Sequence, residues 1–300
     1  MKGFESFSLG FLDYAAFVGY FAILSLIGYI AGRREKSRSD EFFLAGRSLP
    51  WYVVGCSFIA SNISSEHFIG MIGAAFIFGI APAMFEWGNV LTFSILIWFF
   101  IPFLVASRVF TTPEFMERRF NLVLRQFFAV ITVITNVVAF LAAVLYGGGL
   151  ALQALFGWNL WLAIGLVAVA AGIWVIYGGL VSAAWADVFT VIIMISGGLM
   201  VTLLGLYGLS GDSHSLIDGF QVMIERNQGR DGLAAEFIAR GAPYIAHTEH
   251  YNRLSVIQPT THVHTPWTGL LTIIFSVSIW YNVINQFMIQ RVLGAKDMYH

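Results

Sequence analysis

Two ionisable side chains, His67 and Glu86, lie within segments of the sequence that are predicted to span a membrane. Ionisable groups within membrane-spanning segments are costly and mark functional sites by default. A neutral imidazole donates and accepts hydrogen bonds, whereas a carboxylate only accepts them. Together the two groups suit a neutral, polyhydroxylated solute. The alternative for Glu86, four residues after Pro82, is an acid at a helix start, where the helix dipole favours it.

A polar run extends from Ser57 to Gly70, and seven of its fourteen side chains are polar. Ser and Asn compete for backbone hydrogen bonds and loosen helices. A helix broken at membrane depth is tolerated only where protein or a water-filled cavity satisfies the freed backbone groups. This pattern is typical of the discontinuous helices of transporters, whose freed carbonyls bind a cation. The alternative is a polar seam between intact helices.

A stripe of polar side chains follows in the last apolar stretch. Ser278, Tyr281, Asn282 and Asn285 are spaced by three, four and seven residues, which predicts a single helical face. We expect such a face to line a solute cavity, with Ser278 and Asn282 as solute contacts and Tyr281 as an aromatic lid. The alternative is a packing seam between helices.

The other polar candidates are more ambiguous. Asp187 is predicted either to start a cytoplasmic helix, where the dipole favours an acid, or to be a waypoint for a cation leaving towards the cytoplasm. His262-x-His264 and His247-x-x-His250 have spacings that could ligate a metal, but they lack a fixed Cys or acidic partner. Loop histidines without a metal are the alternative.

The surrounding sequence places all of these residues in or near a membrane. Apolar residues make up 58% of the 300, and charged residues only 11%, whereas a soluble domain carries about 25% charged residues. The near-neutral net charge of −1 gives no reason to expect nucleic acid as a partner. Runs without charge predict an all-α polytopic membrane protein with about seven transmembrane helices. The predicted spans are 12–32, 50–79, 83–106, 127–155, 159–178, 184–209 and 267–289.

Positive charges predict an orientation for these spans. Eleven Lys and Arg residues fall on one side of the predicted membrane. They are Arg33, Arg34, Lys36, Arg38, Arg47, Arg108, Arg118, Arg119, Arg125, Arg291 and Lys296. The positive-inside rule puts this side in the cytoplasm. We therefore expect a cell-membrane protein (inner or plasma membrane) with an extracytoplasmic N-terminus, a cytoplasmic C-terminus and an extracytoplasmic loop over residues 211–266, which contains a short helix near 215–226.

Several short motifs occur in a fixed order along the chain. They are Asn62-Ile63-Ser64-Ser65-Glu66-His67-Phe68-Ile69-Gly70, Phe85-Glu86-Trp87, Thr112-Pro113-Glu114-Phe115 with Arg118-Arg119-Phe120, Ile176-Tyr177-Gly178-Gly179-Leu180, Trp185-x-Asp187-Val188 and Asn285-Gln286-x-x-Ile289-Gln290-Arg291. In combination they resemble the solute:sodium symporter family, and most nearly its sodium/glucose cotransporters. The resemblance covers the chain outside residues 211–266.

This resemblance implies a LeuT-type fold of two inverted five-helix repeats after a leading helix. Of that fold the chain would contain the leading helix, the first repeat and the first helix of the second repeat. The implied solute contacts are His67, Glu86 and Asn89, with Tyr281 as the inner gate and Asn62 holding that gate. The implied sodium positions are the backbone carbonyls of Ala60 and Ile63, together with Asp187 on the sodium path.

Two departures from the family pattern bear on function. The gate Tyr281 is followed by Asn282 where the sugar transporters usually have Trp, and Ser278 replaces a more typical polar contact. The solute is therefore not restricted to glucose or galactose. The chain also resembles only the N-terminal half of the family. The family's sodium-binding hydroxyls lie on a later helix, so we expect a truncated product or one part of a split transporter.

These observations predict sodium-coupled symport of a sugar or similar small polar solute by alternating access, with Na⁺ as the coupling ion and no other cofactor. The expected partners are the solute, sodium, the lipid bilayer and either a C-terminal half or a second copy of the chain. One alternative is a non-transporting sensor or assembly subunit. A more remote alternative is a membrane enzyme that uses Glu66 or Glu86 with His67 as acid and base.

Overall fold

The structure, a computed structural model, describes residues 9–33, 39–228 and 252–297, and these residues fold almost entirely as helices. We number the helices in chain order. They are α1 (Phe11–Gly32), α2 (Ser39–Leu44), α3 (Trp51–Asn62), α4 (His67–Phe78), α5 (Ala83–Ser107), α6 (Thr112–Arg119), α7 (Leu122–Phe156), α8 (Leu160–Ile176), α9 (Gly178–Leu209), α10 (Leu216–Gln228), α11 (Trp267–Ile284) and α12 (Gln286–Leu293). The predicted all-α class is confirmed.

Five of these helices, α1, α5, α7, α9 and α11, are long and apolar enough to cross a membrane. Helices α4 and α8 are apolar but shorter. A helix of about 20 residues spans the hydrocarbon core of a bilayer. The second predicted span, 50–79, is divided between α3 and α4, and the last, 267–289, between α11 and α12, so the seven predicted spans draw on nine of these helices. Their crossing of the bilayer remains a prediction.

Two of the predicted spans are interrupted by an extended residue. Helix α3 ends at Asn62, and Ile63 takes φ −95° and ψ 115° before helical structure resumes. Helix α11 ends at Ile284, and Asn285 takes φ −65° and ψ 128° before α12 begins. The first break lies within the polar run that predicts it. The second overturns the prediction that Ser278 and Asn285 share one continuous helical face, because Asn285 is not helical.

The fifth and sixth predicted spans also differ from the observed helices. Helix α9 begins at Gly178, so Asp187 lies well inside it and is not an acid of the first turn. The separation from α8 comes from Gly179, which has φ 52° and ψ −151°. Residues other than glycine rarely adopt a positive φ. The turn is therefore made by the Gly178-Gly179 pair, several residues before the predicted start.

The chain divides into two compact units. Unit 1 comprises Met1–Glu66, Ile101–Val191 and Gln286–His300, and unit 2 comprises His67–Phe100 and Ile192–Asn285. Each helix break lies beside a point where the chain passes from one unit to the other. The candidate residues are accordingly distributed between the units, and each unit is described separately.

Unit 1 has a small apolar core around α3. Leu49, Val53 and Ala184 are almost completely buried there, and Leu180 and Val54 pack with them. Backbone hydrogen bonds join the segment before α3 to the segment after α12, from the Leu49 amide to the Gly294 carbonyl and from the Lys296 amide to the Leu49 carbonyl. These contacts hold α3 and α12 together, which sets the distance between their polar side chains.

Unit 2 packs α5 against α11. Gly88 makes the close approach possible, since an added Cβ would lie 3.0 Å from Leu270 Cδ1 and 3.2 Å from Ile274 Cγ1. Small residues let transmembrane helices approach closely enough for side chains to hydrogen-bond across the interface. The polar residues of α5 and α11 can therefore reach one another next to this contact.

Candidate functional site

The pair of ionisable residues singled out in the sequence meets in unit 2. His67 opens α4, and its Nε2 lies 3.1 Å from Glu86 Oε1 on α5. A carboxylate oxygen accepts, so the imidazole N–H is the donor. The Glu86 side chain remains 37% exposed and that of His67 23%. The pair is therefore joined but still accessible.

Glu86 receives a second hydrogen bond from its own helix. Asn89 Nδ2 donates to Glu86 Oε2 over 3.1 Å, so each carboxylate oxygen has one donor. A carboxylate offers about four lone-pair positions in all, which is more than these two hydrogen bonds use. Hydroxyl groups of a solute could donate to the carboxylate as well.

The polar contacts continue from Asn89 to α11. Asn282 Nδ2 donates to Asn89 Oδ1 and to Thr92 Oγ1, each over 2.9 Å. Thr92 Oγ1 in turn donates to the Asn89 carbonyl over 3.1 Å. Asn282 and Thr92 are both completely buried. One connected chain of hydrogen bonds thus runs from His67 through Glu86 and Asn89 to Asn282, and we call it the unit 2 polar chain.

The remaining residues of the predicted solute face lie on the same helix as Asn282. Ser278, one turn earlier on α11, is buried, and Tyr281 is half-buried. Asn285, in the break, is completely buried. A direct contact of Ser278 or Tyr281 with solute stays a prediction, as does the predicted contact between Asn62 in unit 1 and Tyr281 in unit 2.

A second polar junction lies in unit 1. Ser57 Oγ on α3 donates to Asp187 Oδ2 on α9 over 2.6 Å, and Arg291 Nε on α12 donates to Ser57 Oγ over 3.0 Å. Arg291 Nε is 3.9 Å from Asp187 Oδ2. Ser57 is completely buried, and its hydroxyl group connects Arg291 to Asp187 by two hydrogen bonds. We call these three residues the unit 1 charged junction.

The predicted sodium positions also lie in unit 1. Ala60 is in the last turn of α3 and Ile63 is the extended residue of the break, so both belong to the segment where the helix stops. Ser61 Oγ donates to the Ser57 carbonyl over 2.7 Å in the same turn. Asp187 is connected to this helix through Ser57. A break of this kind exposes carbonyl oxygens, which are ligands that a sodium ion can use.

The loop histidines have a different arrangement from a metal site. His262 Nδ1 accepts from the Thr265 amide over 2.9 Å and the His264 amide over 3.2 Å. Burial lowers the pKa of His262, and the neighbouring His264 lowers it further. Within residues 9–33, 39–228 and 252–297 no three His, Cys, Asp or Glu residues cluster as metal ligands. His247 and His250 lie outside the described residues.

Several residues of the two groups carry no sequence signal that indicates their contacts. Thr92 is a single hydroxyl residue in an apolar helix, a common and uninformative occurrence. Ser57 and Arg291 belong to the polar run and to a family motif, but neither pattern indicates that they contact each other or Asp187. The spacing of three between Asn89 and Thr92 could have indicated that they share a face of α5. Their common partner on α11 could not be found from that spacing.

The helical architecture and the interrupted helices are features typical of membrane transporters. Residues 42–299 match the model of the sodium:solute symporter family, and the chain belongs to that family. This confirms the resemblance seen in the sequence. It is a family of transporters and not of enzymes, and the chain is a multi-pass membrane protein.

Named relatives agree with this membership. The chain is 32% identical over 294 residues to a sodium/glucose cotransporter of Vibrio parahaemolyticus, covering 97% of this chain and 50% of the relative. It is 30% identical over 298 residues to a human sodium/myo-inositol cotransporter, covering 96% of this chain and 40% of the relative. The chain thus spans half or less of the length of these relatives.

A solved structure shows the same fold. A Na⁺-coupled sialic acid symporter in a substrate-bound outward-open state superposes with a TM-score of 0.61 over 96% of this chain and 60% of the other. The sequence identity is 20%, so this similarity concerns the fold alone. The expected symporter fold is confirmed by it.

Proposed function

We propose that the chain takes part in sodium-coupled symport of a neutral, polyhydroxylated solute such as a sugar or a cyclitol. The observation that carries this proposal is the contact between His67 and Glu86, 3.1 Å apart and still partly exposed. An accessible carboxylate that already holds two donors offers its remaining lone pairs to solute hydroxyls. The names of the glucose and myo-inositol relatives support a solute of this chemistry.

Charge is the second argument for a neutral solute. The more exposed residue of the His67–Glu86 pair is an acid, and the other members of the unit 2 polar chain are an imidazole, amides and a hydroxyl. An anionic solute would meet the Glu86 carboxylate at close range, which is unfavourable in a medium of low dielectric constant. A polyol instead offers several hydroxyl donors without a charge to be desolvated.

Sodium is proposed to bind at the break after α3, through backbone carbonyls of Ala60 and Ile63, with Asp187 on its path. A ligand shifts a conformational equilibrium only by its differential affinity for the two states. Sodium that binds the outward-open state more tightly therefore favours that state. The solute then binds at His67, Glu86 and Asn89, with Tyr281 as the proposed inner gate.

The proposed orientation follows the positive charges. The segments that carry Arg47, Arg108, Arg118 and Arg291 face the cytoplasm, and the segment over residues 211–266 faces outward. Labelling of single cysteines tests this in intact cells, after the native Cys56 has been replaced by Ala. A Cys at Asp212 should react with a membrane-impermeant maleimide, and a Cys at Glu117 should react only after permeabilisation.

The proposed function is tested by binding first, because the chain spans half or less of the length of the named relatives. Purified chain in lipid nanodiscs is titrated with radiolabelled glucose and myo-inositol, in sodium and in choline buffers. We expect saturable binding that requires sodium, with an affinity that falls about a hundredfold in Glu86→Gln, as expected when a group hydrogen-bonded to substrate loses its charge. Gly73→Ala on α4, in open space, is the matched control and should bind normally.

Transport is measured next, as uptake into proteoliposomes with and without an inward sodium gradient. Sodium-dependent binding together with uptake supports symport by this chain. Sodium-dependent binding without uptake limits the chain to the solute-binding part of the proposed cycle. Absence of sodium-dependent binding for both solutes contradicts the proposal.

A further inference from the structure

Asn282 differs from His67, Glu86 and Asn89 because no part of its side chain reaches the surface. It is 0% exposed, and both hydrogens of its amide are used within the protein. A group in this position cannot donate to a solute. The spacing of polar residues on α11 predicts a solute contact for Asn282, and its complete burial points to a different role.

The direction of each hydrogen bond in the polar chain is determined by the one before it. Glu86 can only accept, so the amide nitrogen of Asn89 must face it. The Asn89 oxygen is then turned towards α11, where only a donor can satisfy it. Asn282 supplies that donor. The donor and acceptor roles of their partners therefore determine which way the side-chain amides of both asparagines face.

Thr92 fixes Asn282 in the same way. Its hydroxyl hydrogen goes to the Asn89 carbonyl, so its oxygen is left to accept the second Asn282 hydrogen. The buried Oδ1 of Asn282 accepts no hydrogen bond from the described part of the chain. An orphaned buried acceptor is costly. The protein tolerates that cost and keeps both donors of Asn282 directed at α5.

We propose that Asn282 is a positioning residue that sets solute affinity by holding Asn89 in the orientation that presents Glu86. This inference rests on the proposed function, since it concerns the same solute site. Asn282 acts through Asn89 and does not touch the solute. An arrangement of side chains that is formed before binding loses no further conformational entropy when the solute binds, and the affinity for the solute is therefore higher.

The residue type is essential to this role. An amide nitrogen donates two hydrogen bonds, here to two acceptors on the same face of α5. Tryptophan, the residue that the resemblance leads one to expect at this position, has a single N–H. Leucine has the same branched arrangement of side-chain heavy atoms as asparagine, with a larger volume, and donates none. The replacement Asn282→Leu therefore removes both donors while keeping the branched shape of the side chain.

The test is a double-mutant cycle in solute affinity. Sodium-dependent binding of myo-inositol or glucose is measured for the unmodified chain, Asn282→Leu, Glu86→Gln and the double variant. We expect Asn282→Leu to weaken solute binding about tenfold in the unmodified chain and by much less when Glu86 is already replaced, the non-additivity typical of residues in one network. The midpoint of the sodium dependence should stay unchanged.

A purely structural role of Asn282 predicts a different pattern. Ile274→Ala is the control for packing, since Ile274 lies on α11 against Gly88 and takes no part in the polar chain. It should lower the melting temperature without changing solute affinity. Equal weakening by Asn282→Leu in both Glu86 backgrounds, or the same loss of affinity in Ile274→Ala, would overturn the positioning role.

A readout without solute separates this inference from the proposed function. Thermal unfolding of the same four proteins gives the coupling between Asn282 and Glu86, which have no direct contact and communicate through Asn89. Failure of the unmodified chain to bind either solute overturns the proposed function, and the unfolding data then decide about Asn282 alone. Additive melting shifts would contradict the transmission through Asn89, and non-additive shifts would support it.

Discussion

Asp187 in unit 1 and Glu86 in unit 2 are both carboxylates on apolar helices, but they are held in different ways. Asp187 is bonded to Ser57, which is bonded in turn to the Arg291 guanidinium. Glu86 is bonded to an imidazole and an amide. The side chain of Asp187 is 22% exposed and that of Glu86 is 37% exposed.

The difference indicates which carboxylate holds the fold and which is kept ready for a ligand. A full positive charge close to Asp187 compensates it within the protein, and both charges belong to helices that pack around the same small core. Glu86 is held by groups that direct its oxygens and leave part of it accessible. Removing a partner should therefore affect stability in unit 1 and ligand binding in unit 2.

The largest expected effect on stability is that of Arg291→Met in the unit 1 charged junction. Loss of the guanidinium leaves Asp187 without its cation and Ser57 without its donor, while the methionine keeps the apolar packing. Breaking one side of a buried ion pair costs about 3–5 kcal/mol, and we expect about 3 kcal/mol because these side chains are partly exposed. Thermal unfolding of the detergent-purified chain measures it as a lower melting temperature.

Two further variants sharpen this comparison between the units. Arg291→Met combined with Asp187→Asn should recover part of the lost stability, since no unpaired carboxylate remains. Glu86→Gln should change the melting temperature by far less than Arg291→Met. A Glu86→Gln protein as unstable as Arg291→Met would show that both carboxylates are structural.

The helices before and after the break at Ile63, α3 and α4, are also held by different contacts. Gly79→Ala tests the contacts of α4, which lies in unit 2. Helix α4 ends at Gly79, whose φ is +76°, and the Arg253 guanidinium donates to the carbonyls of Phe76 and Ile77. An added Cβ would lie 2.1 Å from the Arg253 carbonyl oxygen. We expect a loss of about 2 kcal/mol from backbone strain at positive φ, with the displaced contact adding to it.

Gly73→Ala is the matched control for that loss, because it lies on the same helix with no atom within 4 Å of an added Cβ. Alanine is favoured over glycine inside a helix, so this variant should be neutral or stabilising by up to about 1 kcal/mol. Comparison of the two melting temperatures isolates the helix end. Equal behaviour of the two variants would contradict a fixed connection between α4 and Arg253.

The pattern of polar residues allowed some of this arrangement to be predicted from the sequence. The density of Ser and Asn between Ser57 and Glu66 predicts a helix break, and α3 ends within that run. His67 and Glu86 are each unusual in an apolar segment, and they are in contact. Such costly groups are visible in a sequence because their surroundings make them stand out.

The rest depends on tertiary neighbours that no local pattern encodes. The spacing of Ser278, Tyr281 and Asn282 does not indicate the break at Asn285. Helical periodicity places residues on one face only if the helix continues through all of them. The predicted solute contact of Asn282 follows from its spacing alone, and spacing does not indicate that the residue is buried. Its hydrogen bonds to Asn89 and Thr92 depend on the close packing of α5 and α11.

The smallest expected effect concerns His262, which would extend the comparison to the loop of unit 2. Its Nδ1 accepts from two backbone amides, so the neutral ring is the form that fits the turn. Burial and the nearby His264 lower the pKa of His262 below its usual 6.5. Protonation would place an N–H against the amide donors.

The sign of the resulting pH dependence follows from linkage. With the pKa of His262 lowered in the folded chain, the unfolded chain binds the proton more tightly, so this residue leaves stability unchanged above pH 6.5 and lowers it as the pH falls below that value. His262→Asn keeps an acceptor for the amides without titrating, so its melting temperature should fall less between about pH 7 and about pH 5. The other histidines are common to both proteins, and the difference between the curves therefore reports on His262. Parallel curves would mean that the turn tolerates the imidazolium, and the loop of unit 2 would then be less tightly constrained than its hydrogen bonds indicate.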